Sequence, residues 1–517
     1  MSAPAAVPAP SAVNHTGLPR PAAPWRARRK VAGVLALTAL LTTACGSRLT
    51  GGALALAEGR GSGTGTATGT AGAAVGGGTL AANGASGAAG SGATGGPGAA
   101  TAAGATGSGG GGGGPATAAG GGGANLTSAS CNASNNGGAT DVGVTATQIT
   151  VGNITSITGV APGLTQSAQQ ATIAWADYVN SLGGICGRKI KVQTYDDQND
   201  AGQDYADATQ ACSNDFAMVG NASGFDSGAA SAVQSCGIPD VAAEISTHEA
   251  GNVPEIFGAS PGNAHYYSTG PAVWLKSRYP QAAANAAMIY LNVPATQEQA
   301  QAEMNTYSSV GWNYRYVQAV SPTEPNYAPY VQKMQSMGIQ YVTEYSDDNS
   351  AARLVQAMAQ ANFHPQVTDF ISEEYSQTFL QEAQGDAEGD MILMATAAYE
   401  EPNANPGMQL FLSWLNRATG GQAKHDIFGE FAWAAGMAFL QAATAVGPHL
   451  TRAALIAQLQ KIGSFDGGGV MPPDTDFGKK IPSNCFSYFK VQGNGFVRVY
   501  PPQPGTYDCT SGTLNHY

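Results

Sequence analysis

The sequence predicts an α/β fold of parallel sheets covered on both faces and divided into two lobes. Three observations predict it. Gln148 to Asp200 reads as a strand, a Gly/Pro-containing loop, an amphipathic helix, a tight turn and a second strand, which makes a βαβ unit. The same alternation continues to Ala397, and strands alternating with helices pack as parallel sheets between helical layers. The folded part, roughly 375 residues, exceeds what one hydrophobic core supports. A (β/α)8 barrel competes with this arrangement. The long helical region after Ala397 and the cysteine-bounded tail fit it poorly.

In order, apolar residues recur at helical spacing across Ala168–Val179, between two short β-rich strands. A helix at Ala201–Asn214 leads to a strand at Phe216–Gly220, then a helix at Ser227–Ser235 and a strand at Ile238–Ala243. Ala264–Tyr279 reads as a long crossover helix. A second set follows, with strands at Ala286–Leu291, Tyr314–Ala319, Gln340–Glu344, Val367–Ser372 and Met391–Ala397 separated by helices. Helices at Met408–Arg417, Phe428–Val446 and Arg452–Ile462 end the alternation. The first lobe is expected at 131–270 and 398–450, the second at 271–397 and 451–480. Residues 481–517 are expected to form a disulfide-bounded hairpin tail turning at Gly493-Asn494-Gly495.

The preceding residues have another character. Arg26–Lys30 and the apolar run Val31–Ala44 have the n-region and h-region of a signal peptide, too short for a comfortable bilayer span. Ala44-Cys45-Gly46 resembles a bacterial lipobox, which implies a signal peptide over 1–45 and Cys45 as the lipidated N-terminus; Thr42 replaces the usual Leu, and ordinary secretory cleavage with a free Cys45 is the alternative. Residues 46–130 are Gly, Ala, Ser and Thr with no charge after Arg60. They bury too little apolar surface to order, and as a coil of about 85 residues they would span roughly 50 Å. They read as a disordered tether.

Seven of the 23 Lys and Arg but only one of the 35 acids precede Cys131, so the body carries 16 bases against 34 acids. So acidic a surface excludes nucleic acid as a partner and leaves the anchor as the membrane contact. The six cysteines after Cys45 form an even set in an exported chain, which argues for disulfides. Cys485 and Cys509 flank the hairpin, Cys212 and Cys236 lie at neighbouring element ends, and Cys131 with Cys186 follow by elimination. No CxxC or Cys/His spacing suggests a metal, and no cofactor motif is present.

Several residues carry a family resemblance: Ile149–Val151, Gly163, Ala171, Ala174, Asn180, Gly183-Gly184-Ile185, Gly187-Arg188 and Asp196-Asp197. Phe216–Gly220, Gly237-Ile238-Pro239 and Ala387–Asp390 continue the set in order. Together they resemble the leucine/isoleucine/valine-binding type of ABC-transporter substrate-binding protein. The resemblance implies a type I periplasmic-binding fold, two doubly wound lobes joined by three crossovers with the ligand in the interlobe cleft. It implies as partners a small polar solute, such as an amino acid or amide, and an ABC permease with its ATPase. The protein is then a monomeric, lipid-anchored extracytoplasmic receptor that closes on its solute and is not an enzyme.

By the same resemblance, Ala222, Ser223 and Gly224 would hold a ligand carboxylate; otherwise Ser223 caps the helix that follows. Ser246 and Thr247 match a second carboxylate-contacting loop, in which Glu244 is a departure that puts α-amino-acid specificity in doubt. Glu373 or Glu374 stands where the family meets the ligand ammonium. Tyr345 and Tyr375 are candidates to stack on ligand, with lobe-surface tyrosines as the alternative. Thr158 and Leu164 are weaker rim candidates. His248, His265 and His364 are isolated, and the pairs Asp196-Asp197 and Asp347-Asp348 read as hydrated loop charges. The sequons at Asn125, Asn132 and Asn153 read as coincidental. Two alternatives stand beside the transport reading: a sensing receptor of the same fold, and a surface α/β hydrolase in which Ser223 would need a histidine and an acid.

Overall fold

Buried Val, Ile and Ala residues build a first parallel sheet from β1 (Gln148–Thr155), β2 (Lys189–Asp196), β3 (Ala217–Val219), β4 (Asp240–Ala242) and β5 (Ile256–Gly258). Its spatial order is β2-β1-β3-β4-β5, with every pairing parallel. The computed structural model describes residues 131–260, 265–474 and 476–517. The signal segment, Cys45, the tether and the sequon at Asn125 lie outside the described residues.

After β6 (Tyr266–Ser268) the chain enters a second sheet. It contains β7 (Ala286–Leu291), β8 (Tyr314–Val320), β9 (Tyr341–Tyr345), β10 (Val367–Phe370), β11 (Met391–Met394), β12 (Ser487–Gln492) and β13 (Gly495–Tyr500). Their order is β13-β12-β11-β10-β9-β7-β8. The five strands from β7 to β11 repeat the order of the first sheet, so both lobes are doubly wound and each reverses direction beside its first strand. The chain crosses between lobes three times: after β5, after β11 and before β12.

The helix Ile427–Val446 belongs to the first lobe and is buried on nearly all sides. It packs along the helix Gln166–Ser181, where Trp175 meets Phe439 edge-on at 5.6 Å. Gly436 permits that approach, because a Cβ there would lie 2.4 Å from the Trp175 ring. Among the described residues no helix is long and apolar enough to cross a membrane.

Three expectations about elements change. The crossover helix expected over Ala264–Tyr279 is split into β6 and a helix at Gly270–Arg278. The aromatic pair Tyr266-Tyr267 favours extended backbone, and β14 (Leu514–His516) supplies an antiparallel partner from the far end of the chain. The 481–517 tail does not stand apart, since β12 pairs antiparallel with β11 and extends the second sheet. The helix Arg452–Leu459, expected with the second lobe, is held by the first. Arg452 donates to the carbonyls of Cys212, Asp215 and Phe216 at 2.8, 2.6 and 3.2 Å.

The disulfides Cys131–Cys186, Cys212–Cys236 and Cys485–Cys509 are all formed. Asn153 is buried and donates to the carbonyls of Val219 and Gly220, so its sequon is inaccessible in the fold.

Candidate functional site

In doubly wound sheets the loops at the C-terminal strand ends separate where the strand order reverses, and they leave a crevice there. Both lobes turn this edge toward one cleft. From the first lobe come the loops after β1, β3 and β4; from the second come those after β7, β9 and β10.

The first-lobe loops are fixed by internal polar contacts. Gly220 adopts φ 72° to turn the chain out of β3, and a Cβ there would meet the Thr172 hydroxyl. Asn221 ties three strands together: its Oδ1 accepts from Ile154 N–H at 2.8 Å, and its Nδ2 donates to Asp240 at 3.2 Å. The Ser223 hydroxyl donates to Asp197 and accepts from Phe225 N–H at 3.0 Å. Asp226 accepts from Ser246 N–H and from the Thr247 hydroxyl, each at 2.6 Å. Burial pushes Asp226 up to about 7, against the lowering effect of these bonds.

In the second lobe, Tyr345 ends β9 with its ring against the cleft. Its hydroxyl donates to the buried Glu303 at 2.9 Å, which also receives Tyr267 at 3.1 Å and Tyr314 at 2.6 Å. Three phenols on one carboxylate fix the ring position. Asp347 caps the helix Asp348–Gln360 by accepting from Asn349 and Ser350 N–H.

Two connected hollows occupy the cleft, of about 140 and 90 Å³. They share Glu244, Gln299, Tyr345, Ile371 and Glu373. The smaller also touches Leu164, Ser223, Gly224, Ser246 and Phe428. The larger continues to Tyr266, Tyr267, Phe431, Phe486 and Leu514. Burial raises the carboxyls of both Glu244 and Glu373, and the charge of Glu373 raises Glu244 further. A first-lobe acid and a second-lobe acid therefore face the same space.

Of the residues singled out from sequence, Ser223, Gly224, Ser246, Tyr345, Glu373 and Leu164 line the cleft. Ala222 lies in the sheet core, its N–H bonded to Ile154 O. Thr247 is buried, and its hydroxyl donates to Asp226 and accepts from Ala250 N–H. Glu374 is the buried member of the acid pair and lines neither hollow, while Glu373 does. Tyr375 faces a separate cavity with Tyr399 and His425, its hydroxyl bonded to Glu400. Thr158 holds Asp196 at 2.7 Å.

Gln299, Tyr267, Phe428, Phe431, Phe486 and Leu514 line the cleft and were not anticipated. Only Phe428 and Phe431, near the start of a predominantly apolar helix, carried any signal in the sequence.

The paired acids staple loops. Asp196 accepts from Ile157 and Thr158 N–H, Asp197 from Ser156 and Ser223. His248 contacts Glu298 at 2.6 Å, and His364 contacts Asn362. Among the described residues no histidine bonds Ser223, whose hydroxyl is engaged by Asp197 and Phe225 N–H. Nor does any group of three or more His, Cys, Asp or Glu among the described residues stand as metal ligands.

Residues 148–495 match a family described as periplasmic binding protein. A search among curated proteins returns no match. Among solved structures, a fatty acid ABC transporter substrate-binding protein from Thermomonospora curvata is 18% identical with a TM-score of 0.60, covering 71% of this chain and 97% of its own. The branched-chain amino acid transporter substrate-binding protein LivJ from Streptococcus pneumoniae, in complex with isoleucine, is 14% identical with a TM-score of 0.57, covering 68% and 100%. A solute-binding protein from R. palustris in complex with 4-hydroxybenzoate is 14% identical with a TM-score of 0.58, covering 68% and 95%. At these identities the likeness is one of fold, and that fold is the two-lobed architecture described above.

Proposed function

This chain belongs to the periplasmic binding protein family, and from that premise we propose that it is the extracytoplasmic, lipid-anchored receptor of an ABC importer. It captures a small solute between its lobes and delivers it to a permease. One observation carries the reading: the C-terminal edges of two doubly wound sheets, one per lobe, share a hollow lined from both sides by polar groups and apolar side chains. A solute touching Ser223 and Glu244 from one lobe and Tyr345 and Glu373 from the other binds the closed arrangement better than the open one. That difference in affinity is what drives closure.

Hinge closure is expected at the three crossovers, and no covalent step is needed. The first lobe comprises β1 to β5 with the helices Pro406–Thr419, Ile427–Val446 and Arg452–Leu459; the second comprises β7 to β13. The lipobox resemblance at Cys45 supports an anchor, with residues 46–130 as its tether. The named ligands of fold relatives, which are isoleucine, fatty acids and 4-hydroxybenzoate, support solutes of this size.

The test is a thermal-shift screen of the purified chain against amino acids, amides, amines and aromatic acids, followed by small-angle scattering. A true solute raises the unfolding midpoint in proportion to RT ln(1 + [L]/Kd) and reduces the radius of gyration. Absence of any shift, with hydrolysis of a generic ester, would overturn the reading. Loss of radiolabelled palmitate incorporation in Cys45→Ala tests the anchor.

A further inference from the structure

We propose that the cleft selects a cationic solute with an apolar body and no carboxylate, an amine or amidine held between Glu244 of one lobe and Glu373 of the other. This rests on the reading of the cleft as a solute site and narrows it to a charge class.

The first observation is charge. Glu244, Glu373 and Asp347 line the joined hollows, and no Lys, Arg or His is among the described lining residues. A carboxylate entering this space finds no cation to pair with.

The second observation is where the donors point. A carboxylate-binding first lobe would present hydroxyls and N–H groups to the cleft. Here the Ser223 hydroxyl donates to Asp197, while Ser246 N–H and the Thr247 hydroxyl donate to Asp226. The Ser246 hydroxyl donates to Ser223 O at 3.3 Å. The hydroxyl donors of that grip, with Ser246 N–H, are thus engaged by the protein's own acceptors.

The third observation is that the acceptors are open. Among the described residues, Glu244 receives only Gln299 Nε2, at a long 3.4 Å. No donor from another described residue reaches Glu373. Both carboxyls are partly buried in the cleft, and the nearness of Glu373 raises Glu244. An ammonium placed between them favours the ionised form of both acids and supplies the donors they lack, and it does so only when both lobes are present. Ile371, Phe428 and Tyr345 offer apolar and aromatic surface for the remainder of such a solute.

The experiment compares head groups on constant bodies by calorimetry with the full secreted chain. One set is 3-methylbutylamine, leucine, 4-methylpentanoate and 4-methylpentanamide; the other is phenethylamine, phenylalanine, 3-phenylpropanoate and 3-phenylpropanamide. In at least one set the amine is expected to bind more tightly than the amino acid by about tenfold or more, and the acid to give no response. Glu244→Gln and Glu373→Gln, both close in shape, should each weaken the amine by about tenfold or more. Glu249→Gln, an exposed acid outside the hollows, should leave it unchanged. Unfolding midpoints of the free variants verify that each folds.

Tighter binding of an amino acid, amide or acid overturns the charge class and leaves the receptor reading standing. Amine binding that is indifferent to both glutamates overturns the proposed grip. Failure of all eight compounds to bind overturns the proposal and counts against the receptor reading itself.

Discussion

Tyr345 has two separable parts. Its hydroxyl is bonded to Glu303 while its ring forms part of the cleft wall. Tyr345→Ala removes a rigid aromatic surface and should weaken solute binding by about tenfold, on the scale of about 1.4 kcal/mol. Tyr345→Phe keeps the ring and should stay within about threefold, though it leaves Glu303 one donor short. Calorimetric titration of both variants checks this split. At this scale the sequence was informative where a residue sits just past a strand end. Tyr345 was picked by that rule and Ser223, Gly224, Ser246 and Glu373 by the family resemblance, and all five line the cleft because strand ends fix loop positions to within a residue or two. Adjacent residues were not separable by it. Glu373 and Glu374 have the same chemistry, and the 3-10 turn at Ser372–Glu374 decides which faces the cleft. Thr247 fails for another reason, since Asp226, distant in sequence, engages its hydroxyl.

Helix packing and edge strands govern the next scale. Gly436→Ala would drive a methyl group into the ring of Trp175, which has no exposed surface. Overpacking of this kind costs about 1–3 kcal/mol, against which the better helix propensity of Ala returns about 1 kcal/mol. A lower urea midpoint with an unchanged m-value is the expected result. The added hairpin has a fastening of its own. Arg498 forks onto Glu401 with two contacts of 2.7 Å, and Gly505 N–H donates to the same carboxylate at 2.9 Å. Glu401→Ala strands a largely buried guanidinium and should cost about 3–5 kcal/mol in denaturant titration. The alternation of strands and helices was legible because its periodicities are local. The partnership of β6 with β14 was not. Thr269 and Thr513, which exchange bonds beside it, lie 244 residues apart.

For the molecule as a whole, buried carboxyls set the response to pH. Asp226, Asp240 and Asp348 are pushed up to about 7, and Glu344 and Asp474 to about 8, each chiefly by burial. The unfolded chain releases these protons near pH 4, whereas the folded chain keeps them until pH 7–8. Folding therefore takes up protons in this window, and the associated stability is complete below about pH 4 and lost as pH rises through 7–8. Thermal midpoints should fall between pH 5 and pH 8, and Asp226→Asn should flatten that slope. The position of one cystine bears on the history of the molecule as well as its stability. Cys485 lies in the wall of the larger hollow and is bonded to Cys509. Thiols stay reduced in most cytosols and oxidise after export. That part of the wall is therefore covalently fastened only after export, so the newly made chain should capture solute more weakly at its place of synthesis. Cys485→Ser with Cys509→Ser should reproduce that unready state, folded by circular dichroism but with weakened solute binding.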